Sequence, residues 1–249
     1  GKTYLSAFDV KNSNPQKVLF IAHRKTILQK SKEAYENILR NKKMLIIMFI
    51  FPVIYLFITF AGIEEFKGDG SAFVLMHSIM VPIQIIASIV AEEKEKGTFK
   101  MLMMSGVRAF EYIIGIMVIV MMFLVFGMVI FDQTGATKNS NTFEAVIVNM
   151  IAFILSMMIG FIIGVISDNQ VSVGAVSLPV TLIIFFMPIV GMFNEKYEFL
   201  GKYLYSGVLF KILNGTHCNL ENIIILSINT IVLIVIGFAI ANPVKIIKK

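Results

Sequence analysis

Six stretches of about twenty mostly apolar residues limit what this chain can fold into. They cover residues 44–63, 72–91, 110–131, 143–167, 171–193 and 220–241. Hydrocarbon offers backbone N–H and C=O groups no partner. A chain that enters it repeatedly in segments this long therefore crosses as helices, which bond their own backbone. Composition agrees: the 249 residues are 57% hydrophobic and 15% charged, whereas a soluble domain carries about 25% charged residues. The linkers are short, so consecutive spans are expected to form antiparallel hairpins. The expected fold is all-α, with residues 44–249 forming a six-helix membrane domain behind a polar segment, 1–43.

That first segment is basic and has no small-residue cleavage site, so no cleavable signal peptide is expected. Within it, residues 17–40 repeat apolar pairs at helical spacing (Ile27/Leu28, Ala34/Tyr35, Ile38/Leu39) with Lys30, Lys32, Glu33 and Glu36 between them. This is an amphipathic helix, suited to a membrane surface or, alternatively, to packing on a soluble domain. Orientation follows from the lysines and arginines. Of 22, ten fall in residues 1–43, four in 92–109 and three in 242–249, against five in the opposite loops. Both termini and the loop at 91–108 are thus expected in the cytoplasm. The last outer loop, 194–219, is too apolar for a free loop. It predicts one or two short helices at the outer interface, or else a surface lid.

The spans hold four prolines, Pro52, Pro82, Pro179 and Pro188, which are expected to loosen helices locally. Ala152, Ser156, Gly160 and Gly164 recur every fourth residue on the fourth span, a spacing that lets helices approach closely, within the chain or across a dimer seam. Ionisable groups are nearly absent from the spans. Glu111, Glu144 and Glu221 stand at helix ends, and His77, Gln84, Asn149 and Asn229 are the main buried polar candidates. Proton- or sodium-driven carriers place ionisable groups near the bilayer midplane, so a secondary transporter is disfavoured. Glu92-Glu93 lacks the arginine and the paired histidine helices that a CAAX-type membrane protease would need. Gly1-Lys2-Thr3 lacks the glycine and the strand–helix context of a phosphate-binding loop. The single cysteine, Cys218, excludes an intrachain disulfide, and no metal site or bound cofactor is expected. Nucleic acid is not expected as a partner either, because the basic residues follow membrane topology.

The remaining feature is the loop AEEKEKGTFKMLMMSGVR at 91–108. Glu92, Glu93 and Glu95 interleave with Lys94 and Lys96. Gly97 breaks the run and Thr98 can open a short helix bearing Phe99 and Leu102. Positive-inside bias accounts for the lysines but not for three glutamates. A mixed-charge helix end followed by an amphipathic turn suits docking of a soluble partner, with charges steering and Phe99 and Leu102 anchoring. A plain solvated loop is the alternative.

The order of an amphipathic helix, LRNKKMLIIMFIFPVIYLF, a second span and then AEEKEKGTFKMLMMSGV resembles the permease subunits of ABC-2 type transporters. The resemblance covers roughly residues 25–249. It implies that 25–40 is an elbow helix on the inner surface and that a short outer helical hairpin precedes the last span. It further implies that Glu92, Glu93, Lys94, Glu95, Lys96, Gly97, Thr98, Phe99 and Leu102 belong to a loop that contacts an ATP-binding cassette subunit. Two such subunits, carrying ATP and magnesium, would serve two permease chains in the membrane of a bacterial cell. Two departures stand out: a longer polar segment at 1–24, and Ser105-Gly106-Val107 where a proline often follows the loop. A membrane sensor or immunity protein that binds a hydrophobic ligand without moving it remains the alternative.

Overall fold

The computed structural model describes residues 41–62, 70–104, 109–137, 142–193 and 195–240, together with 32, 35, 36, 38 and 39. Among the described residues the secondary structure is entirely helical. Six long helices match the six apolar stretches: α1 (Lys42–Phe60), α2 (Ser71–Glu95), α4 (Ala109–Gln133), α5 (Thr142–Ile166), α6 (Gln170–Phe193) and α9 (Leu220–Ile240). Between them lie the short α3 (Thr98–Met104), a single 3₁₀ turn at Glu195–Tyr197, α7 (Glu198–Lys202) and α8 (Tyr205–Leu213). Each of the six is long and apolar enough to cross a membrane, so this is a multi-pass membrane protein.

Helix ends follow local chemistry. α1 starts two residues before its apolar run because the Asn41 side chain accepts from the N–H groups of Lys43 (3.2 Å) and Met44 (3.4 Å), a standard N-cap. Glu111, Glu144 and Glu221 occupy the first turns of α4, α5 and α9, where a negative charge complements the helix dipole. The helices run through Pro52, Pro82, Pro179 and Pro188. Of the expected elbow at 25–40, residues 32, 35, 36, 38 and 39 are described. Ile38 is buried and Tyr35 stacks on Phe123 of α4 at 6.4 Å. The rest of that segment, all of 1–24 and the basic tail 241–249 lie outside the described residues.

The bundle is built around α2. It is 72% buried over its apolar window, against 17% for α9, and it packs on α1, α4, α5, α6 and α8. Its most extensive partner is α5, two spans away in sequence, rather than a consecutive hairpin neighbour. The small-residue stripe makes that pairing possible. A Cβ on Gly160 would stand 2.6 Å from the carbonyl oxygen of Ile83, and one on Gly164 would stand 2.7 Å from the Cβ of Val90. Ala152 and Ser156 of the same stripe are also buried. The stripe thus faces α2 of its own chain.

Polar side chains clip the neighbours to α2. Ser78 donates to Asn149 of α5 at 2.9 Å, His77 Nε2 donates to the Leu124 carbonyl of α4 at 3.2 Å, and Ser177 of α6 donates to Gln84 at 2.6 Å. Such interhelical bonds contribute on average about 0.6 kcal/mol each, so they select partners more than they add stability. His77 is enclosed by Phe131 and Phe153, with Gly127 leaving room for its ring. His77, one of the expected buried polar residues, is thus packed between helices of its own chain.

The segment 195–213, before the last span, does more than lie at an interface. α8 buries Tyr205, Val208, Leu209, Ile212 and Leu213 against α2, α5, α6 and α9, and the Tyr205 hydroxyl meets Ser156 Oγ at 2.8 Å. Tyr197, Phe199 and Tyr203 remain exposed, as expected of interfacial aromatics. Beyond α8, the backbone N–H of Cys218 donates to Glu144 at 2.8 Å. Burial, and then the Glu144 charge, push the Cys218 thiol above its usual value. Thiolate is the reactive form, so maleimide should label Cys218 more slowly than a free thiol at neutral pH and faster as pH rises. Glu144→Gln removes the negative charge, lowers the thiol pKa and should speed labelling; an unchanged rate would show that the carboxylate does not act on the thiol.

Candidate functional site at the turn between α2 and α3

The end of α2 carries the charge cluster. Lys96 caps the helix, and Gly97 follows at φ +72°, in the left-handed region where a side chain is strained and glycine is not. A Cβ at this position would have nothing within 4 Å, so backbone conformation rather than space calls for glycine. Thr98 then opens α3. The sequence-expected break and restart are both present.

The charges have partners within the chain. Lys94 Nζ donates to the carbonyls of Val165 (2.8 Å) and Ser167 (2.7 Å) and stands 3.8 Å from the Asp168 carboxylate. It therefore covers the C-terminal end of α5, where unsatisfied carbonyls and the helix dipole favour a cation. One residue later the sign reverses. The Gln170 backbone N–H donates to Glu95 at 3.3 Å and its side-chain amide donates to Glu92 at 2.9 Å. These carboxylates thus sit at the N-terminal end of α6, where a negative charge is favoured. Glu92 also bonds Lys96, and this contact holds the Lys96 ammonium above its usual value. The alternation of Glu and Lys, which membrane topology left unexplained, matches the opposite dipoles of the two helix ends it bridges.

The apolar residues divide differently from the sequence expectation. Phe99 is 1% exposed and packs edge-on against Tyr112 of α4 at 5.2 Å, so it anchors α3 to its own chain. The physical reason is the register of a seven-residue helix: its first turn faces α4 and its opposite side faces outward. Met101 and Met104, 66% and 67% exposed and three residues apart, form that outward ridge with exposed Lys100 beside them. The Leu102 side chain lies outside the described residues. Beside the ridge a polar recess of about 900 Å³ is lined by Lys42 and Lys43 of α1 and by Glu92, Glu93, Lys96 and Thr98. No group of three metal-ligating side chains converges among the described residues.

Residues 25–201 match the family model of the ABC-2 type transporter. The chain belongs to that family. Membership makes it a transmembrane permease of the ABC type, which works with an ATP-binding partner and is generally not itself catalytic. The ABC-2 match takes in α1 to α6 and most of α7, while α8 and α9 lie beyond it. Among curated proteins nothing matches the chain. Within the ABC-2 frame, sequence reasoning missed the turn Ser167–Gln170 as the counterpart of the charged loop. One signal was available: that turn has no lysine or arginine of its own to serve the carbonyl end of α5.

Proposed function

We propose that this chain is the permease subunit of an ATP-driven exporter that moves an amphipathic or hydrophobic cargo, such as a peptide, an antibiotic or a lipid-like molecule, out of a bacterial cell. Two permease chains, the same or different, and two ATP-binding subunits make the working assembly, with ATP and magnesium on the latter and both permease termini in the cytoplasm. One observation carries the reading: the α2–α3 turn presents a protruding Met101–Met104 ridge while its charges grip the ends of α5 and α6. A push on that ridge is delivered at once to three spans. Glu93 and Thr98 line the recess at the same turn, where the docked partner would bring polar groups.

The cargo class rests on what the spans contain. Buried His77, Ser78, Asn149 and Ser177 and half-buried Gln84 are bonded to neighbouring helices within the chain, which leaves mostly hydrocarbon to meet a passenger. Uptake into inverted vesicles should favour amphipathic molecules; a strong preference for a hydrophilic ion would refute the cargo class. The docking reading predicts that Met101→Glu with Met104→Glu abolishes co-purification of the ATP-binding subunit and leaves thermal stability within about 0.5 kcal/mol of the parent, as for exposed substitutions. Phe99→Ala should do the reverse, costing about 3 kcal/mol of stability through lost burial. Undiminished co-purification in the double variant would remove the ridge from the contact.

A further inference from the structure

Away from the α2–α3 turn, at the opposite end of the bundle, α5 and α9 leave an apolar groove of about 570 Å³ between them. Ile147, Ile151 and Ile154 form one wall, and Ile223, Leu226 and Ile231 form the other. The groove also contains Ser227 and Thr230, but their hydroxyls donate to the backbone carbonyls of Ile223 (2.8 Å) and Leu226 (2.7 Å). Spent on their own helix in this way, they leave the wall apolar. The exposed flanks of Ile147, Ile154, Ile223 and Ile231 open it sideways, toward the bilayer.

Among the described residues its one charged lining residue is at the end. Glu144, in the first turn of α5, lines the mouth beside Cys218 and is steadied by the Cys218 N–H at 2.8 Å and by His217 Nδ1 at 3.3 Å. From Glu144 to Leu155, the deepest lining residue on α5, is eleven residues, a rise of about 16 Å. From Leu220, the first residue of α9, to Ile231, the deepest on that helix, is the same rise. Half of a hydrocarbon core of about 30 Å is about 15 Å. The groove is therefore one leaflet deep, apolar along its length and negative at its head.

We propose that this groove seats one acyl chain of a phospholipid from the leaflet at that end, and that Glu144 selects a headgroup bearing a primary ammonium. A void in contact with the bilayer core fills with hydrocarbon, because unfilled space forfeits dispersion contacts. The depth limits the occupant to a tail from one leaflet. The carboxylate then discriminates among headgroups. A primary ammonium brings three N–H donors and a compact charge, a quaternary ammonium brings no donor, and an anionic head is repelled. The seated tail supports α9, the least buried of the spans.

The chain has no tryptophan, so a single introduced indole reports on its own surroundings. Ile231→Trp places the probe at the deep end of the groove. Val118→Trp places a control on an exposed face of α4, at a similar distance from its helix end. The purified full chain goes into phosphatidylcholine vesicles containing rising fractions of tail-brominated phosphatidylethanolamine. Quenching at the groove should reach half its maximum at about one third of the mole fraction needed at the control, the factor expected of a partly exposed charge pair. Glu144→Gln, which keeps an acceptor for Cys218, should erase the preference for ethanolamine over choline lipid, and Glu144→Asp should retain it. Equal quenching at both probes would overturn the seat. A preference that survives Glu144→Gln, or stronger quenching by brominated phosphatidylglycerol, would overturn the role of the carboxylate.

Discussion

A Lys94→Met variant is expected to insert in the membrane and keep its ATP-binding partner, yet to lose about nine tenths of its ATP-driven transport. Lys94 donates two short hydrogen bonds to the last carbonyls of α5 and faces Asp168. Hydrogen bonds to a charged group contribute about 1.5–3 kcal/mol, more than the 1.4 kcal/mol that corresponds to tenfold in an equilibrium. Methionine keeps the length and loses the bonds, so the α2–α3 turn would move without carrying α5. Lys94→Arg keeps the charge in a different geometry and should recover part of the transport. The measurement is cargo uptake into vesicles beside the nucleotide hydrolysis rate of the same preparation. Wild-type uptake by Lys94→Met would show that force does not pass through this lysine. If uptake and partner binding were lost together, the variant would have damaged docking instead.

Gly164→Leu is expected to be strongly damaging to the bundle, at about 3 kcal/mol or more, the upper range for overpacking. Any side chain at this position meets the Ala87 carbonyl at 2.9 Å and Val90 at 2.7 Å, and the α2 backbone cannot retreat without losing its contacts on every other side. Gly174→Leu on α6 supplies the contrast. Nothing lies within 4 Å of a Cβ there, so stability should stay within about 1 kcal/mol, helped by the better helix propensity of leucine. Thermal unfolding of the detergent-solubilised proteins reads both. Similar midpoints for the two variants would mean that the α2–α5 approach is looser than the structure has it.

These two variants touch the features that differed most in how far they could be read in advance. The stripe Ala152, Ser156, Gly160 and Gly164 was visible as a stripe, because small residues every fourth position serve only close approach. Which helix it approached was not visible. The charged loop was visible as a site, and the Gly97 break and Thr98 start fell where the letters put them. Its inward commitments were not visible, because Glu92, Lys94 and Glu95 take their partners from residues more than seventy positions away. The burial of Phe99 against Tyr112 was not visible for a related reason. A seven-residue helix with apolar residues on both faces does not declare which face is covered.

The sequence by itself determined the number of crossings, their lengths and most of their ends, because the thickness of hydrocarbon and the need of backbone groups for partners leave a chain of this composition no other option. The caps, the first-turn glutamates and the glycine break are equally local and equally legible. Only the tertiary structure decided that α2 is the centre, that α5 and not a sequence neighbour is its main partner, and that α8 dips into the bundle. The physical reason is that lipid tails are as apolar as leucine, so hydropathy drives helices into the membrane without telling them which neighbour to choose. That choice is made by shape and by a few hydrogen bonds, which form only between residues the fold has already brought together.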